Sequence, residues 1–171
     1  MKKLILLVAI ALIGFNANAQ DESTSNAKSE GNWLLEVNTG SWATGSTAFS
    51  LISVDGNTMW SAGAEAGYFV KENLAIKAGL GYSDFGEGSD GAFAYKVGAK
   101  YYVGGNIPVG VDFTGVSEGD YNASWVGLQA GYAIHVADNV AIEPTLRYNV
   151  TLDDMKADSS FQALIGYTLF F

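Results

Sequence analysis

The chain has 171 residues, 18 acids against nine bases, 21 glycines, two prolines and no cysteine. That length favours a single domain, the missing cysteine excludes disulfides and an N-terminal lipidated cysteine, and the acidic balance excludes a nucleic-acid binder, which needs a basic face. Abundant Gly, Tyr, Phe and Val with so little Pro favours an all-β chain over disorder or a helical bundle.

The first element is MKKLILLVAIALIGFNANAQ, with Lys2 and Lys3, an apolar run from Leu4 to Phe15, and Ala17-Asn18-Ala19 before Gln20. This is the layout of a secretory signal peptide, residues 1–19, cut after Ala19. The apolar run is too short to cross a bilayer as a helix. Loss of Lys2 and Lys3 leaves 18 acids against seven bases, so the exported chain is strongly acidic. Residues 20–31 are polar and read as a flexible leader. Residues 32–171 form the remaining unit.

Eight runs of alternating polarity follow: Trp33–Gly40, Met59–Val70, Leu74–Asp84, Ala92–Val103, Ile107–Gly115, Ala123–Val136, Val140–Val150 and Phe161–Phe171. Their lengths suit tilted membrane-spanning strands. Three connections are short, Lys71-Glu72-Asn73, Gly104-Gly105-Asn106 and Ala137-Asp138-Asn139, and carry the Asn or Gly that hairpin turns need. Four are longer: Ser41–Thr58, Phe85–Gly91, Val116–Asn122 and Thr151–Ser160. Alternating short and long connections predict an up-and-down meander, with short turns periplasmic and long loops extracellular if it is an outer-membrane barrel. AGYFVKENLAIKAGLGY (Ala66–Tyr82) and AGYAIHVADNVAIEPTLRY (Ala130–Tyr148) repeat one hairpin pattern, through duplication or through convergent turn chemistry.

Sorting the alternation gives two faces. One is apolar and charge-free, for example Ile76, Ala78, Leu80 and Tyr82, then Val126, Leu128, Ala130 and Tyr132. The other is small or polar and carries Glu36, Glu65, Asp112 and Glu143 against Lys77, Lys96, Lys100 and Arg147, which sum to zero. A water-soluble eight-stranded barrel would have to pack the bulky set inside, where there is too little room. A transmembrane barrel turns the bulky set to lipid and the balanced charges inward. Closure is then required, because an open sheet edge in hydrocarbon leaves backbone groups unpaired. The expected fold is therefore an all-β, closed, eight-stranded antiparallel up-and-down transmembrane barrel. Trp33, Trp60, Tyr68, Tyr82, Tyr132 and Tyr148 fall near strand ends, where interfacial aromatic girdles belong.

Direct pairing across the short turns matches Val70 with Leu74, Val103 with Ile107 and Val136 with Val140. Asp112 then lies opposite Gly98 between Lys96 and Lys100, Glu65 is diagonal to Lys77, Glu143 is diagonal to His135, and Arg147 is opposite Gln129. The interior is expected to be a plug of ion pairs, with Phe69, Tyr102 and Phe170 crowding the short-turn end and inward glycines giving the long charged side chains room. His135, the single histidine, has no nucleophile within reach, since Ser83 and Ser124 lie elsewhere on the sheet. The acidic stretches DDMKAD (153–158) and GEGSDG (86–91) lack the spacing of a calcium loop and read as solvated loops. No catalytic, cofactor-binding or metal site is expected.

The C-terminus alternates to its last residue through Ile165, Tyr167, Leu169 and Phe171. It resembles the C-terminal targeting strand of Gram-negative outer-membrane proteins. With segments such as VGAKYYVGGNIPVGVDF (Val97–Phe113), residues 33–171 resemble small outer-membrane β-barrels of the porin superfamily, similar to the transmembrane domain of outer membrane protein A and to outer membrane protein X. That resemblance implies outer-membrane localisation, contact with membrane lipid and lipopolysaccharide, and recognition by periplasmic chaperones and the barrel-assembly machinery. It names no extracellular partner. No peptidoglycan-binding domain follows the barrel, which argues against a cell-wall anchoring role. The functional expectation is a non-enzymatic structural or surface-interaction barrel. The alternative is a narrow channel for ions or small solutes gated by the interior pairs. A lipid-modifying barrel enzyme would need a His, Ser and acid cluster at the lipid-facing rim, and none is visible.

Overall fold

The computed structural model describes residues 27–40, 49–86, 88–152 and 154–171. The expected signal peptide and residues 20–26 of the leader lie outside the described residues. In chain order the strands are β1 (Trp33–Asn38), β2 (Phe49–Val54), β3 (Asn57–Lys71), β4 (Leu74–Asp84), β5 (Ala92–Val103), β6 (Ile107–Glu118), β7 (Tyr121–Gly131), β8 (Ile134–Ala137), β9 (Val140–Thr151) and β10 (Ser160–Phe170). No helix occurs among the described residues.

Eight staves close into a barrel. From β3 to β10 each stave pairs antiparallel with the next, β7 and β8 together forming one stave against β9. β1 closes the ring: Leu34–Asn38 pair with Phe170–Gly166 of β10, and Trp33–Glu36 pair with Tyr68–Glu65 of β3. Phe171, just past β10, exchanges backbone bonds of 2.9 and 3.1 Å with Trp33, so the last residue is stitched to the first strand. Away from the turns the predicted register holds: Tyr68 faces Ile76, Gly98 faces Asp112, and Gln129 faces Arg147. At the first short turn a bulge between Phe69 and Lys71 shifts the pairing, so Leu74 meets Lys71 instead of Val70. At the third short turn an irregularity between His135 and Ala137 shifts the pairing, so Val140 meets Ala137 instead of Val136.

Three features depart from the expectation. The segment taken as one loop, Ser41–Thr58, contains β2, which forms a hairpin with the start of β3. Its turn is Asp55-Gly56, both with positive φ (50° and 87°), the combination a two-residue type I′ hairpin requires. The segment Val116–Asn122 is likewise a tight hairpin, with Glu118 paired to Tyr121 around Gly119 at φ 53°. Both were legible as Asp-Gly and Gly-Asp flanked by alternating residues. The stave expected to run unbroken from Ala123 to Val136 breaks between β7 and β8. The cause lies on the neighbouring strand. Tyr132 donates its N–H to Pro144 O at 3.1 Å, but Pro144 has no N–H to return, so the exchange that holds an antiparallel pair is lost there. Ala133 donates instead to Asn106 O at 2.7 Å, across to the Gly104–Asn106 turn.

The faces sort by burial as by sequence. Leu80 (60%), Leu146 (56%) and Val97 (53%) present their side chains outward, whereas Glu65, Glu143 and Arg147 are each only 1% exposed. At mid-barrel the interior is charged and the outer wall apolar, the inverse of a soluble protein. An uninterrupted apolar band on a closed barrel matches hydrocarbon, not water. Val140 and Leu169, cross-strand partners on the outer face, are exceptions in being buried. Leu80→Arg or Val97→Arg is expected to destabilise the folded barrel by roughly 2–4 kcal/mol in equilibrium urea unfolding from lipid vesicles. Met155→Arg, at a 95% exposed position in the connection between β9 and β10, should change it by less than about 0.5 kcal/mol.

Candidate functional site

The inward faces of six strands supply the interior charges. Alternation puts Glu36 of β1, Glu65 of β3, Lys77 of β4, Lys96 and Lys100 of β5, Asp112 of β6, and Glu143 and Arg147 of β9 inside, and all eight are buried. They form two assemblies. In the first, a chain of alternating charge crosses the lumen. Lys96 pairs with Glu65 at 2.6 Å, and Glu65 with Lys77 at 2.6 Å. Lys77 reaches Glu36 at 2.7 Å, Glu36 also binds Lys100, and Lys100 reaches Glu143 at 2.6 Å. The chain ends where Tyr102 donates its hydroxyl to Glu143 Oε1 at 2.9 Å.

In the second assembly Arg147 holds Asp112 bidentately, Nη1 to Oδ2 at 2.5 Å and Nη2 to Oδ1 at 2.7 Å. Its Nε donates to Asn149 Oδ1 at 2.7 Å, Nη1 also donates to Gln129 Oε1 at 3.1 Å, and Nη2 to Thr114 Oγ1 at 3.4 Å. All five N–H groups of the guanidinium are thereby directed at acceptors, the condition under which a buried ion offsets its desolvation. Thr114 donates in turn to Asp112 Oδ1 at 3.0 Å.

Small residues make the room. A Cβ at Gly127 would overlap the Arg147 guanidinium, and one at Gly98 would overlap the Asp112 side chain and the Val111 carbonyl. Two apolar layers bracket the charges. Toward the short turns, Phe69, Tyr102 and Phe170 pack with Leu34, Ala75, Ala133 and Ala141, their three rings about 6.0–6.4 Å apart. Toward the loops, Trp125 packs with Ala92, Ala94, Val116 and Ala123, and its indole donates to Asp158 O at 3.1 Å.

The structure gathers eight of the nine predicted interior residues into these two assemblies, leaves His135 outside them, and re-pairs several. Glu65 does meet Lys77, as the register implied. Asp112 is not shared between Lys96 and Lys100; it is held by Arg147. Lys100 crosses to Glu36 and Glu143. His135 does not meet Glu143; its Nε2 lies 2.9 Å from Lys28 Nζ. Ladder arithmetic sees only adjacent strands, whereas a closed barrel lets long side chains reach across the lumen, and a guanidinium fork matches a carboxylate better than two ammoniums do. Sequence reasoning missed Thr114 and Asn149, two residues along the same faces from Asp112 and Arg147, and a period-2 search for acceptors would have found them. It cast Tyr102 only as bulk. Lys28 sat in a polar segment with no pattern to mark it.

On the outer wall Trp33 packs against Tyr68 at 5.1 Å near the short-turn end and Trp60 against Tyr82 at 5.5 Å near the loop end, and Tyr132 and Tyr148 are exposed. At the C-terminus Ile165, Tyr167 and Phe171 face outward, and Leu169 is buried beside Val140.

Arg147→Met leaves the Asp112 carboxylate buried without a counter-charge and is expected to cost roughly 3–5 kcal/mol in urea unfolding. Adding Asp112→Asn to that variant should recover part of the loss, giving a coupling of at least about 1 kcal/mol in the double-mutant cycle.

No protein-family model matches the chain, and no curated protein matches it. Among solved structures the fold is similar to the crystal structure of the N-terminal β-barrel domain of Pseudomonas aeruginosa OprF, at 14% identity and TM-score 0.53, over 83% of this chain and 98% of that one. A de novo designed transmembrane β-barrel aligns at 16% identity and TM-score 0.48, over 83% of this chain and 97% of that one. Outer membrane protein AlkL, whose structure was determined by solid-state NMR in lipid bilayers, aligns at 11% identity and TM-score 0.41, over 91% of this chain and 92% of that one. The likeness to the OprF domain agrees with the strand pairing: this chain has the fold of a small closed β-barrel.

Proposed function

We propose that the chain is an integral outer-membrane protein whose barrel serves as a structural and surface-interaction scaffold, not as an enzyme. The single observation that carries this reading is the filled interior. Eight buried charges neutralise one another, their shared contacts crossing the lumen between two apolar layers, so the barrel has the cross-section of a plugged cylinder. The N-terminal export pattern, the apolar outer wall and the likeness of fold to the OprF domain support the outer-membrane assignment. In that setting residues 1–19 direct export, and the aromatic pairs Trp33–Tyr68 and Trp60–Tyr82 sit at the two lipid interfaces. The alternating Ile165, Tyr167, Leu169 and Phe171 serve assembly through periplasmic chaperones and the barrel-assembly machinery. The loop end carries Asp84, Asp90, Glu118, Asp120, Asp154 and Asp158 against Lys156, so an acidic surface faces outward, beside lipopolysaccharide.

One observation favours a second reading, a narrow channel for ions or small solutes. Glu36 is shared by Lys77 and Lys100, and each of those lysines holds a second carboxylate, so either could let go of one partner without being left unpaired. Planar-bilayer recording separates the two. The scaffold reading expects no current steps from folded protein, with insertion verified by the altered migration of the unboiled barrel on gels. Discrete steps whose frequency changes in Glu36→Gln would support the channel and overturn the scaffold.

A further inference from the structure

The last residues of the expected leader do not hang free at the short-turn end. Gly31 N donates to Phe69 O at 2.9 Å and Phe69 N to Asn32 O at 2.9 Å, which continues the β1–β3 ladder backward. Lys28 O accepts from Asn73 N at 2.8 Å, on the first short turn. The Lys28 side chain enters the barrel's base and is 4% exposed. Its ammonium lies 5.0 Å from the centre of the Tyr102 ring and 4.9 Å from that of Phe170, cation–π distances, and 2.9 Å from His135 Nε2.

Donor accounting fixes the state of this contact. An ammonium only donates, so His135 Nε2 must offer its lone pair and the ring proton must sit on Nδ1, which has no hydrogen-bond partner among the described residues. That arrangement exists only for a neutral imidazole. A second proton turns Nε2 into a donor aimed at a donor and sets two cations 2.9 Å apart. The nearby carboxylates are already engaged. Glu143 of β9 is held by Lys100 and Tyr102 of β5, and Glu36 of β1 by Lys77 and Lys100. Asp112 of β6 is held by Arg147. β10 presents Phe170, 6.0 Å from the imidazole. Lys71 and Glu72 on the first turn, Asp138 on the last and Glu30 of the leader are solvent-exposed at the rim.

We propose that His135 is a pH-sensitive latch for the leader: the neutral imidazole retains Ala27–Asn32 across the short-turn mouth, and protonation expels Lys28 and releases the segment. Burial already pushes the Lys28 ammonium below the ordinary lysine value, with the Glu143 charge opposing that shift, and a second cation beside it acts in the same direction as burial. The sign is set by the imidazole: retention is complete above its titration and is lost as pH falls through it.

The chain has no cysteine, so Glu30→Cys carries a single nitroxide label on an exposed leader residue of the folded full-length protein in micelles. Its mobility is read from about pH 8, above the ordinary histidine range, to about pH 4, well below it. An immobile spectrum at high pH that becomes mobile on acidification is expected, while unboiled gel migration shows the barrel intact. His135→Gln, which keeps an acceptor but does not titrate, should stay immobile throughout. His135→Arg, a permanent cation, should be mobile even at high pH. A wild-type label whose mobility does not change with pH, or a His135→Gln variant that titrates like the wild type, overturns the latch.

Discussion

Hydrocarbon cannot accommodate an unpaired charge, and a barrel of eight strands cannot accommodate a wide aqueous lumen. Together these constraints decide where each mid-strand charge of this chain sits. Glu36, Glu65, Asp112 and Glu143 must point inward because the outer wall meets lipid, and once inside they need Lys77, Lys96, Lys100 and Arg147, because the space is too narrow to hydrate eight separate ions. The zero sum of the inner face is thus a consequence of the medium outside it. The alternation of polarity, closure through β1 and β10, and the inward glycines all serve that one requirement.

The two assemblies meet it differently. Arg147 is a saturated ion, with every N–H spent on Asp112, Asn149, Gln129 or Thr114. It specifies one geometry and offers no second one. The lysine–glutamate chain is shared instead: Glu36 serves two lysines, and Lys77 and Lys100 each serve two carboxylates. Sharing spreads the desolvation cost over several contacts and leaves each ammonium with an alternative partner. Any rearrangement of this interior would therefore begin along the chain Lys96–Glu65–Lys77–Glu36–Lys100–Glu143 and leave the Arg147 cluster in place.

Much of this was legible without coordinates, because strand period and lipid exposure are local properties. The side on which Leu80 or Lys100 lies follows from parity alone, and the registers of Gly98 with Asp112 and Gln129 with Arg147 follow from counting back from a turn. What resisted was non-local. The exchange of partners among Lys100, Asp112 and His135 depends on which side chains meet across the lumen, which a planar ladder does not represent. The break at Tyr132 is caused by Pro144, whose effect falls on the neighbouring strand and not on its own. β2 was hidden because FSLISV is short and follows a polar stretch, although the Asp55-Gly56 turn beside it was a clear marker. Lys28 was hidden because nothing in a polar leader distinguishes a lysine that solvates from one that inserts between aromatic rings.

The leader adds a layer to the base that pattern analysis assigns to solvent. Its ties to Phe69 and Asn73 make the short-turn mouth a composite of β-ladder, aromatic rings and one buried ammonium. The whole scheme nevertheless rests on which medium wets the outer wall, and sedimentation of the refolded chain with and without surfactant measures that directly. Monomeric, β-rich protein confined to micelles or bilayers, with precipitation once the surfactant is removed, is the expected result. A folded monomer that persists in plain buffer would contradict the assignment of the apolar face to lipid.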